Sequence, residues 1–435
     1  MIPLEGRVLA GLDEFMLRLG HLKVLASVAA EVGGSWSRVE REFARFITEL
    51  VPVPLALVPS ITEYVAQKRL CPSAGEGASE GERTRYRYPD LTLQEDDSGK
   101  RQLIAEQSEI TVWRQDLWMA SPDVVSRVGA ITVGAKSGSK TGVSHIRDWS
   151  TLIDLFSTAG QLAPEGHLAI KLNDDAEGEV WRTNPYVMGR ERLIFAYLVL
   201  SADIDLFVRF APRLLQARFP LRKSNASEVF SETVAALSDE AEATRTLSSS
   251  RQFRLLQQLR ELQGQQRAGS AKASTTWHRA ASRLETYVDL GLLAKGQGGE
   301  SERYEYTYHP GPALERCVES LGRATSAEQW LDDFIVSAVF DVEASPALLP
   351  VADVEALLRT IAPRLGRPIS LLPIVSLALG ISCLTAAELR PTTFRAARAS
   401  IEEFARTRPE LARLSRGGSG SKAEFVSLLM KVERG

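Results

Sequence analysis

Apolar residues recur every three to four positions along most of the chain, which is the period of an amphipathic helix. Between residues 251 and 262, this spacing brings Leu255, Leu256, Leu259 and Leu262 to one side. Patterns typical of strands are fewer and shorter, and they lie at residues 90–94, 102–105, 130–133, 167–172 and 303–309. The pattern therefore predicts a mainly α fold with small β-ribbons, in which helical lobes make up most of the molecule.

Residues 251–310 have the most informative order of elements. After the first helix and a Gly/Ser-containing break, a second helix opens at Ser274, where Ser and Thr side chains can cap its first turn. On a wheel of 100° per residue, its apolar face consists of Trp277, Ala280, Ala281, Leu284, Tyr287 and Val288. The opposite face is polar and basic, and consists of Thr275, Arg279, Ser282, Arg283 and Thr286.

A two-stranded ribbon is expected directly after this second helix, which the sequence ends at Gly291. The first strand begins at Leu292, and in the second strand three tyrosines alternate with polar residues, namely Tyr304, Tyr306 and Tyr308. An aromatic ring buries a large apolar area, so we expect the tyrosines to cover Trp277, Leu284 and Val288. Lys295 and Arg303 would then point outward.

This passage, in which LETYVDLGLLAKG leads to RYEYTYH, resembles the winged helix-turn-helix superfamily. The resemblance implies a recognition helix in the major groove of double-stranded DNA and a wing near the backbone. Arginine pairs with phosphate or guanine, and Ser/Thr hydroxyls reach phosphates or bases. The implied nucleic-acid-binding residues are Thr275, Arg279, Ser282, Arg283, Thr286, Lys295 and Arg303. Winged helices also dock proteins, so that interpretation stays open.

A weaker second copy is indicated at about residues 140–185, where residues 153–163 align with residues 284–294 and a candidate strand at 167–172 follows. The fold would then contain tandem winged-helix modules plus helical lobes. Breaks in the pattern divide the chain into a helical domain (1–89), a mixed α/β region (90–180), a helical connector (181–250), the winged-helix domain (251–325) and a helical domain with a basic end (326–435).

The C-terminal helix predicted at residues 392–408 has an apolar face formed by Phe394, Ala397, Ile401 and Phe404. Its arginines point elsewhere, and these are Arg395, Arg398, Arg406 and Arg408. A Gly/Ser-rich basic stretch follows at residues 415–422. The basic face predicts either a solvated surface or an arm that contacts the DNA backbone.

Composition and charge change this picture in one respect. The 435 residues are 44% hydrophobic and 25% charged, as in an ordinary globular protein, and the net charge is only −3. The charge is unevenly distributed, with a net +5 over residues 251–295 and again over residues 390–435. Seven acids and no base lie from Glu328 to Glu355. The basic islands predict local anion binding, and the acidic stretch predicts a surface for a protein partner.

Catalysis is suggested by one passage, in which Asp90 begins a strand and Glu106 ends the next. It resembles the PD-(D/E)xK nuclease core, where two acids bind a divalent metal and a lysine orients the attacking water. Ser108 stands where that lysine belongs. A metal-dependent nuclease, degenerate in this respect, is therefore the alternative rather than the main prediction.

Other chemistry has little support in the sequence. The three cysteines lie far apart, which disfavours a disulfide framework or a zinc site, and residues 134–141 approach a phosphate-binding loop but have Ser139 in place of its second glycine. No apolar run is long enough to cross a membrane. We therefore predict a cytoplasmic protein without cofactor or metal. It binds double-stranded DNA without catalysis, as an adaptor or subunit of a larger complex. A kleisin-like protein-docking subunit of a chromosome-organising or anti-plasmid complex is a further alternative.

Overall fold

The structure is a computed structural model, and it describes residues 2–10, 19–33, 36–39, 50–54, 91–95, 101–105, 109–113, 150–157, 160–172, 187, 190–263, 273–297, 306–366, 371–388, 390–416 and 423–429. This part of the chain is mainly helical and has small antiparallel sheets, as predicted. Among the described helices, none combines the length and apolarity that crossing a bilayer requires.

The helices are numbered in chain order. They are α1 (Leu19–Val32), α2 (Pro164–Lys171), α3 (Glu191–Ala202), α4 (Ile204–Gln216), α5 (Lys223–Ala243), α6 (Ser249–Gln263), α7 (Ala273–Asp289), α8 (Pro312–Arg323), α9 (Ala327–Asp333), α10 (Ile335–Phe340), α11 (Val351–Ile361), α12 (Ile374–Ala387) and α13 (Phe394–Thr407). A short 3-10 helix (Ala362–Leu365) follows α11.

Nine strands form four antiparallel sheets in the described residues. The strands are β1 (Leu50–Pro54), β2 (Leu91–Glu95), β3 (Arg101–Ala105), β4 (Glu109–Trp113), β5 (Leu293–Gln297), β6 (Tyr306–Pro310), β7 (Leu372–Pro373), β8 (Ala412–Arg416) and β9 (Ala423–Leu428). β1 pairs with β4, β2 with β3 and β5 with β6, and the fourth sheet has the order β7-β9-β8. The strands predicted at 90–94, 102–105 and 303–309 are confirmed to within a few residues, whereas 130–133 lies outside the described part.

The strand predicted at residues 167–172 is wrong, because helix α2 occupies these residues. Pro164 stands in the first turn of α2, where a missing N–H costs nothing, and Glu165 in that turn complements the helix dipole. Leu168, Ala169 and Leu172 are buried at helical spacing. The second copy predicted at 140–185 depended on this strand and therefore loses its wing.

The middle unit of the fold comprises α4, Leu221, α5, α6, α7 and the β5–β6 hairpin. Leu221 forms a single bridge with Tyr308, and the N–H of Leu221 donates to the Tyr308 carbonyl at 2.9 Å. Tyr308 also pairs with Lys295 of β5, so β6 lies between β5 and Leu221. α7 ends at Asp289, close to the end predicted at Gly291, and Gly291 has φ 72°, a left-handed conformation that favours glycine.

The C-terminal unit, predicted to be helical, also contains a sheet. α11, β7, α12 and α13 precede the β8–β9 hairpin, and β9 lies between β7 and β8. The second hairpin strand is therefore central, as β6 is in the middle unit. The two units thus share one order of elements, except that the middle unit has one more helix.

Packing in the C-terminal unit is close. α12 is buried along most of its length, and a Cβ added at Gly380 would lie 2.8 Å from Ile361 of α11. The predicted apolar face of α13 is confirmed, since Phe394, Ala397, Ile401 and Phe404 are all buried. This leaves the opposite face of α13 turned away from the core.

Candidate nucleic-acid interface

Helix α7, the predicted recognition helix, is buried on both faces. Ala280, Leu284 and Tyr287 of its apolar face are in the core, as predicted. Three residues of its polar face are also inside, with exposed fractions of 0% for Ser282, 1% for Arg283 and 2% for Thr286. This corrects the expectation that they face DNA, because in this structure neither solvent nor a ligand reaches them.

Arg283 is held by partners distant in sequence. Its Nε donates to Oδ2 of Asp203 at 2.7 Å and its Nη2 to the carbonyl of Leu9 at 2.5 Å. The guanidinium carbon also lies 5.3 Å from the centre of the Phe230 ring, at cation–π distance. Burial raises the pKa of Asp203, while Arg283 and the Leu9 N–H act in the opposite direction. The Arg283 guanidinium on this face is therefore paired within the protein and not with solvent.

Other buried polar groups of α7 are paired, as is usual in protein interiors, whereas the Tyr287 hydroxyl has no hydrogen-bond partner among the described residues. Thr286 donates its hydroxyl to the Ser282 carbonyl at 2.9 Å, and Glu285 accepts from the Tyr308 hydroxyl at 2.6 Å. A sequence signal for this environment existed. Asp203 and Asp205 border or interrupt the apolar start of α4, and acids in such a setting usually mark buried partners.

The other residues predicted to bind nucleic acid in this module are either half-buried or have side chains outside the described part. Arg279 is half-buried, and its Nη1 donates to the Glu261 carbonyl at 2.6 Å. Thr275 lies in α7 and Lys295 in β5, but their side chains fall outside the described part, as does the whole of Arg303. Tyr308 is buried, as predicted, whereas Tyr304 and the Tyr306 side chain are not described.

The outward face of α13 in the C-terminal unit is arginine-rich. Thr393 caps the helix, and its hydroxyl accepts from the Ala396 N–H at 3.1 Å. The side chain of Arg406 is 70% exposed and that of Arg395 is 55% exposed. Arg398 is partly exposed on the same face. The prediction that these side chains point away from the apolar face is confirmed.

Each of these arginines has a carboxylate neighbour. Arg395 Nε lies 2.6 Å from Asp333 of α9, Arg398 lies 3.5 Å from Glu402, and Arg406 pairs with Glu403. Exposed pairs of this kind contribute only about 0–1 kcal/mol. A DNA phosphate can therefore replace such a carboxylate at little cost.

The β8–β9 hairpin adds basic residues beside α13. Arg413 is exposed on β8, and Arg408 between α13 and β8 lies 2.5 Å from Glu410. The strand β8 ends at Arg416, and Lys422 precedes β9, although residues 417–422 lie outside the described part. The hairpin therefore continues the basic surface of the helix.

The acidic stretch from Glu328 to Glu355 was predicted to receive a protein partner. Within the chain, Asp332 and Asp333 face Arg395, Asp341 pairs with Arg316, and Glu355 lies 2.8 Å from Arg359. Burial raises the pKa of Asp332, against the effect of Arg395. Much of the acidic charge is thus neutralised intramolecularly, which leaves less of it for a partner than the sequence indicates.

The nuclease-like passage is described in part. β2 and β3 form an antiparallel hairpin whose register pairs Leu91 with Ala105. These residues adjoin Asp90 and Glu106 in sequence, and both acids lie outside the described part. Within the ranges that the structure describes, no three His, Cys, Asp or Glu side chains are grouped so that they could hold a metal ion.

Comparison with protein-family models, with curated proteins and with solved structures finds no match to this chain.

Proposed function

We propose that this protein binds double-stranded DNA without catalysis, through a winged-helix module formed by residues 351–428. α13 would enter the major groove, and the β8–β9 hairpin would lie near the backbone as the wing. The middle unit would be a second winged helix in which α7, the helix before the hairpin, has become part of the core. The protein would act in the cytoplasm as an adaptor or subunit of a larger complex, a location that suits the free, buried thiols of Cys317 and Cys383.

The arginine-rich outward face of α13 is the observation that carries this proposal. In the winged-helix arrangement, the helix before the hairpin contacts bases and phosphates. α13 has this position, its opposite face is anchored in the core, and its outward arginines can pair bidentately with phosphate or guanine. α7 has the corresponding position in the middle unit, but its polar face is buried, so the proposal places DNA on α13.

The test is duplex binding by a double variant, Arg398→Ala with Arg406→Ala, measured over a range of salt concentrations. Affinity should fall, and the log–log salt slope should decrease by about 0.9 for each phosphate that the variant no longer neutralises. The matched control is Arg323→Ala with Arg359→Ala. Both control residues pair with a glutamate four positions away on exposed helix faces, and the charge change is the same.

The outcomes separate the two interpretations of this module. Equal reductions of affinity in both double variants would mean that only net charge matters. Unchanged affinity and slope in the α13 variant would contradict a DNA-facing helix and favour protein docking by the same surface.

A degenerate metal-dependent nuclease is the second candidate, and the β2–β3 hairpin supports it because its strands adjoin Asp90 and Glu106. Two carboxylates suit a divalent cation, but the lysine position is occupied by Ser108. We therefore expect purified protein with Mg²⁺ or Mn²⁺ to leave plasmid and linear DNA intact on a gel. Metal-dependent nicking that disappears in Asp90→Ala would show that the protein is an enzyme.

A further inference from the structure

A cleft separate from α13 lies where α3, the turn after α7, α8 and the end of α10 meet. Its volume is about 340 Å³, at the lower end of the usual size of ligand sites. Two arginines, Arg192 and Arg316, and one acid, Asp341, contribute charge to it. Leu293, Val339 and Phe340 form apolar parts of its wall.

Arg192, in the first turn of α3, lies against the backbone of Gly291. A Cβ at Gly291 would overlap Nη2 of Arg192, so the glycine makes room for the guanidinium as well as adopting its positive φ. The Nε of Arg192 is buried and has no hydrogen-bond partner. Burial lowers the pKa of Arg192, and Asp289 acts in the opposite direction. Among the described residues, Arg192 therefore lacks one acceptor, and it lines the cleft.

Arg316 of α8 approaches the same cleft with part of its guanidinium unpaired. Its Nη1 pairs with Asp341, while its Nε and Nη2 are buried without a hydrogen-bond partner. Leaving buried donors unpaired is unfavourable, because their hydration is removed without replacement. Two arginines that each lack hydrogen-bond acceptors therefore line one cleft, and Asp341 is the carboxylate among its described lining residues.

We propose that this cleft binds a small phosphorylated molecule. The planar fork of arginine matches the oxygens of a phosphate, and the cleft brings two arginines together. The Leu293, Val339 and Phe340 surface would receive an apolar or aromatic group attached to the phosphate. This site is independent of the DNA-binding proposal, because none of its residues belongs to α13 or the β8–β9 hairpin.

The test is calorimetric titration of the full chain with phenyl phosphate and with inorganic phosphate, at constant ionic strength. Phenyl phosphate should bind more tightly, because its ring adds apolar contact. Arg192→Gln and Arg316→Gln should each weaken binding about tenfold or more, the effect expected for loss of a charge-assisted hydrogen bond. Arg323→Gln is the matched control on the same helix, since this exposed arginine pairs with Glu319, and it should bind like the wild type.

Arg316→Lys keeps the charge but loses the planar fork of the guanidinium. This variant should therefore also bind phenyl phosphate about tenfold more weakly than the wild type. It tests the proposal even if a glutamine variant does not fold. Circular dichroism checks the fold of each variant. Absence of binding to both probes, or equal binding by the wild type and all arginine variants, would overturn the proposal. A fall in duplex DNA affinity and salt slope in Arg316→Gln, without binding of phenyl phosphate, would also overturn it and assign the arginines to the DNA backbone.

Discussion

Arg283 illustrates how far polarity alone can mislead at the scale of a residue. On a helical wheel it is the centre of a basic face, yet in the structure it is enclosed by Asp203, Leu9 and Phe230. An ion pair in this position is costly to desolvate and is held by its geometry and additional hydrogen bonds. Removal of one partner should therefore lower the stability of the protein more than removal of a surface charge does.

We predict that Arg283→Ala destabilises the protein by about 3–5 kcal/mol, because it leaves Asp203 buried without its counter-charge. Urea denaturation followed by circular dichroism measures this. Arg279→Ala is the control on the same helix and should cost about 1 kcal/mol or less, since Arg279 is half-exposed and donates to a carbonyl.

The double variant Asp203→Asn with Arg283→Ala should recover part of the lost stability, since the uncompensated charge is then removed. Equal stability of Arg283→Ala and Arg279→Ala would contradict the structural role given to the Asp203–Arg283 pair.

At the scale of elements, helices and strands were predictable where the apolar pattern runs over several turns and does not depend on distant residues. The apolar face of α13 repeats over three turns, and its prediction is confirmed residue by residue. The six-residue pattern at 167–172 fitted a strand and a helix equally well, and Pro164 decided for the helix. β7 is only two residues long, and it exists because Leu372 pairs with Val426, so no local pattern could predict it.

At the start of α13, Thr393 provides a test of how this helix is held for its proposed role. Thr393→Ala should lower the free energy of unfolding by about 1 kcal/mol, because the Ala396 N–H loses its side-chain acceptor. Thr393→Ser keeps the hydroxyl and should be close to the wild type in the same urea titration. A destabilisation of equal size in the serine variant would mean that the threonine methyl group, rather than the cap, stabilises the helix.

The candidate sites were predictable only in part, because some of their residues are brought together only by tertiary packing. The arginines of α13 could be assigned to an outward face from their spacing, and the structure agrees. Arg192 and Arg316 are 124 positions apart by sequence number, and only tertiary packing brings them to one cleft. On the polar face of α7, the sequence signals a buried acid at Asp203, but its pairing with Arg283, 80 residues away, arises only from tertiary packing.

On the scale of the whole molecule, the buried thiols report on global opening. Cys317 and Cys383 are fully buried, and burial raises the pKa of both thiols well above the usual value. Because the thiolate is the reactive form, we predict that a Cys71→Ser variant reacts with a disulfide reagent only as it unfolds.

The measurement is the rate at which the protein's thiols react with the reagent, in native buffer and in urea. Ala235→Cys, added on the exposed face of α5, is the positive control and should react at once in native buffer. Rapid reaction of Cys317 and Cys383 in native buffer would contradict the packing around α8 and α12.

The docking of residues 2–10 on later parts of the chain has a consequence for synthesis on the ribosome. The N–H groups of Glu5 and Arg7 bond to Asp205, and the Leu9 carbonyl bonds to Arg283, which is 274 residues further along. At roughly 5–20 residues per second, this segment is made about 14 to 55 seconds before its last partner. Until the last partner is made this docking is incomplete, so the emerging polypeptide carries a segment with Ile2, Leu4, Val8 and Leu9 that a chaperone can bind.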